Sequence, residues 1–388
     1  MSTGDQLKLD FFAWAMRRGI LTASALRDAP RSTGDASAIP FTDAQAEYFR
    51  TRPIMRIRLE ESFGKTTLKV STRQAIAKRK QDELERVFNS HFKDAGVTLD
   101  ITTAPSYKID QSVATLGPTV RRRDNKVTCG SSVGIGNQRN AGTLTALARR
   151  ITSGELVGLS CNHVIGGCST TVPGTPIVVP GIQDVTAEDP QITVVGTFSE
   201  TASMRQGIPT VTDISDNADL ACFELDSLGC KVLTSWHGNN ERAYDTPAHV
   251  LTDVPLGTIV QKWGRSTAWT SGKLTSILTD PEPVEYSVVS YFSPQASQTF
   301  KGTIYFQQVY EVTSIGQPFS AAGDSGSLVV TLPQKEGQDP FAVGVVIAGG
   351  TTKSLVLPIQ PMLDQLGLEL VSQYPPPPRK RTRTRSSQ

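Results

Sequence analysis

From about residue 116 onwards the chain breaks into short β-prone runs punctuated by glycine, and this texture most limits what it can fold into. Candidate strands fall at 127–135, 142–150, 155–160, 192–198 and 219–225. A second set follows at 257–263, 271–278, 284–292, 302–311, 326–332 and 342–349. Two sets of short strands separated by turn signals point to two packed antiparallel barrels. A ligand site is then expected in the cleft between them.

One loop in the second set has chemical character. Phe319-Ser320-Ala321-Ala322-Gly323-Asp324-Ser325-Gly326-Ser327 runs into the apolar strand Leu328-Val329-Val330. Glycines on either side of Ser325 carry no Cβ, so the backbone can turn sharply and approach a ligand closely. A serine on such a turn projects its hydroxyl while neighbouring N–H groups point at one spot, the requirement for a nucleophile beside an oxyanion hole. A serine hydroxyl is a poor nucleophile without a base in hydrogen-bond reach. His163, in Leu159-Ser160-Cys161-Asn162-His163-Val164-Ile165, suits that role because imidazole exchanges protons near neutral pH. Asp219, in Asn217-Ala218-Asp219-Leu220-Ala221-Cys222-Phe223-Glu224-Leu225, would fix the imidazole tautomer. Its competitors are Asp213 and Asp216 just upstream. His237 and His249 sit in polar, turn-like surroundings and read as surface or loop residues.

The segments SCNHV, ADLACFEL and GDSGSLVV, in the order His, Asp, Ser, resemble the three catalytic motifs of trypsin-like serine proteases over roughly residues 120–370. The resemblance extends to uncharacterised bacterial trypsin-like peptidases and plant narrow-leaf-type proteases, which share the GDSGS form and a strand like Val260-Gln261-Lys262-Trp263-Gly264-Arg265-Ser266. It implies a chymotrypsin-like double antiparallel β-barrel and an endopeptidase acting through an acyl-enzyme. It also implies an oxyanion hole from the N–H groups of Gly323 and Ser325. By the same resemblance Phe319 falls at the floor of a specificity pocket shared with Ser320, with Gly349 and Gly350 leaving its wall open. An aromatic floor offers a cation no partner, so small or medium apolar substrate side chains are expected. In digestive relatives a freshly cut N-terminus pairs with the aspartate before the nucleophile, here Asp324. Either a cut near Arg121-Arg122-Arg123 supplies that amine, or Asp324 is satisfied locally, which is the expectation adopted.

The 388 residues carry a formal net charge of +2, which leaves room for two or three globular units. No apolar run is long enough to span a membrane. The opening residues show no basic segment followed by an apolar core, so no secretion signal is expected and a cytoplasmic location is. Five cysteines, Cys129, Cys161, Cys168, Cys222 and Cys230, are an odd number and read as free thiols. A bridge between Cys161 and Cys168 around the histidine is the alternative suggested by relatives. No second CxxC or His pair supports a zinc site, and no phosphate-binding glycine motif or EF-hand appears, so no metal or cofactor is expected.

Residues 1–115 read as an N-terminal α/β domain, regulatory or partner-binding. A helix is expected over 5–27, a loop from Pro30 to Pro40, strands at 54–59, 67–70 and 97–101, and a helix over 73–92. His91 reads as a surface residue and Lys78-Arg79-Lys80 as a solvated helix face. Residues 116–372 form the protease-like region. Residues 373–388, four prolines and then a basic run, cannot build a core. They read as a nucleic-acid tether, a nuclear-import signal, a docking peptide or a quiet solvated tail. A peptide or protein substrate is expected. The alternatives are a catalytically silent fold used as a binding scaffold and a nucleic-acid-associated factor working through the basic tail.

Overall fold

The computed structural model describes residues 2–375 apart from 28, 31–33, 63–64, 104–117, 187–189, 294–295, 334–337 and 351. The basic tail from Pro376 and the expected boundary near Leu116 lie outside the described residues.

In the strand Ala268–Leu278 every second residue from Thr270 onwards is buried, the period of a strand with one face on a core. The strands Leu328–Thr331 and Ala342–Gly349 are buried on both faces for most of their length, which suits their unbroken apolar sequences. These three join Ile259–Gly264, Lys353–Pro358 and Val309–Ser314 in an antiparallel sheet that closes, because Ile259–Gly264 pairs with both Leu328–Thr331 and Ala268–Leu278. Val260, Leu274, Val312, Val329, Val346 and Val356 fill its interior.

The first half forms a curled eight-stranded sheet. Its order is Leu368–Leu370, Leu147–Arg150, Leu156–Ser160, Ala221–Leu225, Thr193–Thr201, Pro176–Val179, Ser132–Ile135 and Gly142–Thr143. One apolar cluster runs from this sheet, through Leu159, Ile177 and Phe223, into Leu328, Val345 and Leu357 of the closed barrel. A two-stranded hairpin, Glu282–Ser293 with Ala296–Phe306, adds Val284, Tyr286, Ile304 and Phe306 to that cluster. The molecule is therefore mainly β, with the double-barrel architecture expected, preceded by a smaller α/β unit. No helix among the described residues is long and apolar enough to cross a membrane.

The N-terminal unit differs from expectation in detail. Ser2 and Asp5 form a capping box on the helix Thr3–Arg17, which buries Leu7, Phe11, Trp14 and Ala15. The helix expected to continue to residue 27 stops at Arg17, where Gly19 adopts φ +64°, and resumes only as Ala23–Arg27. A helix over Asp43–Arg50, absent from the sequence expectation, has its own capping box from Thr42 and Gln45. Its strands are Ile54–Ser62, Lys65–Thr72 and Val97–Thr103, and its second long helix is Lys78–His91.

This unit has an apolar cluster of its own, yet it is joined to the barrel by backbone and by charge. Ile54–Ser62 pairs with Ala268–Leu278 at Glu61 and Ile277, so the barrel sheet continues into the N-terminal strands. Arg56 Nη1 lies 2.5 Å from Glu282 Oε1, and Arg58 Nη1 3.1 Å from Glu282 Oε2. Glu311, whose burial alone would raise its pKa, is held below the usual glutamate range by Lys353 at 2.6 Å and Arg58 at 3.5 Å. Glu60 accepts from Ser276 and pairs with Lys69 at the same seam.

Candidate active site

Strand register brings the expected histidine and aspartate together. Ala221–Leu225 lies antiparallel to Leu156–Ser160, with Ala221 opposite Ser160 and Cys222 opposite Leu159. Beyond Ser160 the chain winds into a short π-helical turn, Asn162–Gly166, which places His163 beside the residue two positions before Ala221. His163 Nδ1 is 2.6 Å from Asp219 Oδ2, and the His163 backbone N–H donates to Asp219 Oδ1 at 3.0 Å. An ionised carboxylate only accepts, so Nδ1 carries the proton, and in a neutral imidazole the lone pair is then on Nε2. Of the two competitors, Asp213 accepts instead from the Ser215 backbone and hydroxyl. Asp216 is an exposed loop residue.

Ser325 is linked to the strand before His163 through Thr143. The first-sheet residue Thr143 ties the Gly323–Ser327 loop to the strand before His163: its N–H donates to Ser325 O at 2.8 Å, its hydroxyl to Gly323 O at 2.9 Å, and its carbonyl accepts from Ser160 Oγ at 2.8 Å. Gly323 and Gly326 adopt φ +92° and +94°, a region closed to most side chains. A Cβ at Gly326 would stand 2.3 Å from Thr143 O. The Ser325 hydroxyl donates to Ile347 O over 3.5 Å, and among the described residues no hydrogen bond links it to His163. Catalytic hydrogen bonds in unliganded sites are commonly long and tighten only with substrate. Among the described residues the N–H groups of Gly323 and Ser325 are spent on no internal acceptor.

Asp324 is satisfied locally. Its carboxylate takes Lys262 Nζ at 3.1 Å, Thr267 Oγ1 at 2.6 Å and the backbone N–H groups of Ser266 at 2.7 Å, Thr267 at 3.2 Å and Ala321 at 3.0 Å. Burial would raise its pKa, but Lys262, the Thr267 hydroxyl and the backbone donors together hold it below the ordinary aspartate value. The candidate cleavage site is built into the fold. Arg121 is buried, donates to Gly130 O at 2.9 Å and is pulled down to about 10 by that burial, while Arg122 and Arg123 pair with Val127 and Lys126.

The expected specificity residues separate. Phe319 has no exposed surface and packs with the apolar cluster of the closed barrel. Ser320 and Gly349 do face each other, since a Cβ on Gly349 would fall 2.2 Å from Ser320 Oγ. Ser320 is bonded to Ser354 at 2.6 Å, a partner the sequence did not reveal. Gly350 is exposed and donates its N–H to Lys353 O.

His237, expected at the surface, is buried, stacked on Tyr244 and bonded to Thr246 at 2.9 Å; burial lowers it to about 3. His249 and His91 are exposed. All five cysteines are free thiols. Cys161 Sγ lies within 4.8 Å of the His163 and Asp219 ligand atoms, a spacing that would suit a metal. Burial pushes its thiol well up, and it donates to Val346 O at 3.5 Å. Two residues at the site went unrecognised in the sequence, Lys262 and Tyr286; Tyr286 donates to Asp219 Oδ2 at 2.9 Å.

No protein-family model matches the chain, and no curated protein does. Among solved structures it is similar to Thermobifida fusca protease A, at 17% identity and a TM-score of 0.39, covering 63% of this chain and 98% of that one. Cellulomonas bogoriensis chymotrypsin aligns at 17% identity and a TM-score of 0.36, over 63% of this chain and 98% of that one. A serine protease specific for glutamic acid aligns at 16% identity and a TM-score of 0.38, over 63% of this chain and 100% of that one.

Proposed function

We propose that the chain is a serine endopeptidase that hydrolyses peptide bonds through Ser325, His163 and Asp219. The observation that carries this reading is the buried Asp219–His163 pair at 2.6 Å, set beside a serine loop tied to the same strand by Thr143. Ser325 Oγ attacks the scissile carbonyl carbon as His163 Nε2 takes its proton. The carbonyl π electrons move to oxygen, and the N–H groups of Gly323 and Ser325 hold that oxyanion. His163 then protonates the leaving amine as the C–N bond breaks, leaving an acyl-enzyme. Water, deprotonated by the same Nε2, attacks the ester carbon, and Ser325 recovers its proton as the acid product leaves. Asp219 stabilises the imidazolium in both half-reactions and stays ionised throughout.

Because Lys262 and backbone donors already satisfy Asp324, the oxyanion loop needs no new N-terminus, and the uncut chain is the active form. The substrate is a protein or peptide. Nucleic-acid contact through the tail is a separate proposal, for which salt-dependent retention on DNA is the measurement. The test of the enzyme reading is a fluorophosphonate probe followed by peptide mapping. Label on Ser325, lost in Ser325→Ala, supports an enzyme; equal peptide hydrolysis by wild type and Ser325→Ala overturns it. Folded protein that neither labels nor cleaves favours the scaffold alternative.

A further inference from the structure

We propose that Tyr286 is a positioning residue for the reaction, its hydroxyl fixing the Asp219 carboxylate that orients His163. The inference rests on the serine-protease reading of the site. Asp219 is fully buried and accepts from His163 Nδ1 and Tyr286 Oη on Oδ2, at 2.6 and 2.9 Å, and from the His163 N–H on Oδ1 at 3.0 Å. Tyr286 is therefore a hydroxyl donor to this carboxylate from outside the histidine residue, and the Cys161 thiol also lies against Asp219. It is 1% exposed, and its ring lies 5.4 Å from the His163 ring at an angle of 60°, so it bounds the imidazole plane as well. Burial, then the charge of Asp219, pushes its phenol well up, so Tyr286 stays a donor. The other titratable groups facing it are His163 and the thiols of Cys161 and Cys168, both raised by burial and protonated.

The hairpin bearing Tyr286 is pinned to the parts it aligns. Ser290 bonds Thr170 at 2.6 Å, just after the histidine turn, and Asn217, two residues before Asp219, donates to Tyr305 O at 2.9 Å. Its foot, Glu282, is gripped by Arg56 and Arg58. A hydroxyl donor on Oδ2 draws charge off that oxygen and stops the carboxylate rotating. Without it, the carboxylate holds the imidazolium more strongly but in a less fixed position. Turnover should then fall.

Tyr286→Phe should lower kcat about tenfold with KM unchanged, the scale for a lost bond to a buried charge. The acid limb of its kcat/KM profile should move to higher pH, and the His163 Nδ1 proton resonance should shift. Tyr291→Phe, an exposed tyrosine on the same strand, should change none of these. If Tyr286→Phe does not fold, 3-fluorotyrosine at 286, a stronger donor, should move the limb to lower pH. A fall in kcat with the limb and resonance unmoved, or no change at all, overturns the proposal. Failure of the underlying reading looks different: no label on Ser325 and no hydrolysis in wild type. The Nδ1 resonance still reports the Tyr286 contact in that case, because it needs no turnover.

Discussion

At the scale of single residues the site depends on two buried carboxylates that differ in what balances them. Asp219 is met by hydrogen bonds from His163 and Tyr286. Asp219→Asn keeps the shape but turns the wrong imidazole nitrogen towards the serine, so kcat should fall by about 10⁴ with little change in unfolding midpoint. Asp324 instead has a cation in contact, Lys262, with neither side chain exposed. Lys262→Met leaves a charge buried without its partner and should cost about 3–5 kcal/mol in urea unfolding. Asp324→Asn in the Lys262→Met background should lose less than the two single changes added together. The pH dependence follows from the same group. Asp324 and Glu311 both have folded pKa values below their ordinary ones, so the stability they confer is complete above the ordinary carboxylate range. It is lost as pH falls through the folded values, so the unfolding midpoint should be level from neutral to about pH 5 and decline below it. A midpoint that rises on acidification would contradict this assignment.

At the scale of elements, the nucleophile loop is a turn whose shape only glycine permits at two positions. A Cβ at Gly326 meets the backbone carbonyl of Thr143, which cannot swing aside because it also accepts from Ser160. Gly326→Ala should therefore move Ser325 relative to His163 and lower kcat/KM by about 10²-fold or more, read in a peptide-cleavage assay. A fully active Gly326→Ala would show that the loop tolerates the shift. The turn in the GDSGS segment was legible for this reason: two glycines among small residues mark a sharp turn, and the strand after it is unbrokenly apolar. Ala268–Leu278 was legible too, because its alternation survives into the burial pattern. The burial of Phe319 was not legible, because an aromatic just outside a motif looks the same in sequence whether it lines a pocket or fills a barrel. Lys262 and Tyr286 escaped notice because each acts through a partner far along the chain, Asp324 and Asp219, and strand periodicity does not say which strands meet. The Asp43–Arg50 helix was missed although its signal is present, the Thr42 and Gln45 capping box.

At the scale of the whole molecule, the N-terminal unit and the barrel share a sheet and an ion cluster, and that changes what its removal should do. A detachable regulatory domain, as expected for residues 1–115, would on removal leave the barrels intact and the site more open. The geometry argues otherwise. Glu282 is 1% exposed and Glu311 has no exposed surface, and both face Arg56 or Arg58 from the N-terminal strand. Taking those arginines away leaves two buried carboxylates short of their partners and uncovers the flank of Ala268–Leu278 at Ile277. Glu282 also begins the hairpin that carries Tyr286, so the loss reaches the site as well as the core. A chain lacking residues 1–103 should therefore unfold at clearly lower urea concentration, and the molecules that stay folded should turn over more slowly. Arg56→Met with Arg58→Met in the full chain should reproduce much of both effects, at about 3–5 kcal/mol, without removing any of the N-terminal apolar cluster. Arg122→Gln with Arg123→Gln, on the other side of the argument, should leave activity unchanged, with the N-terminus intact by sequencing. If the shortened chain unfolds at the same midpoint as the whole one and cleaves peptides faster, the N-terminal unit is an inhibitory cover and the shared sheet is not what supports the barrel.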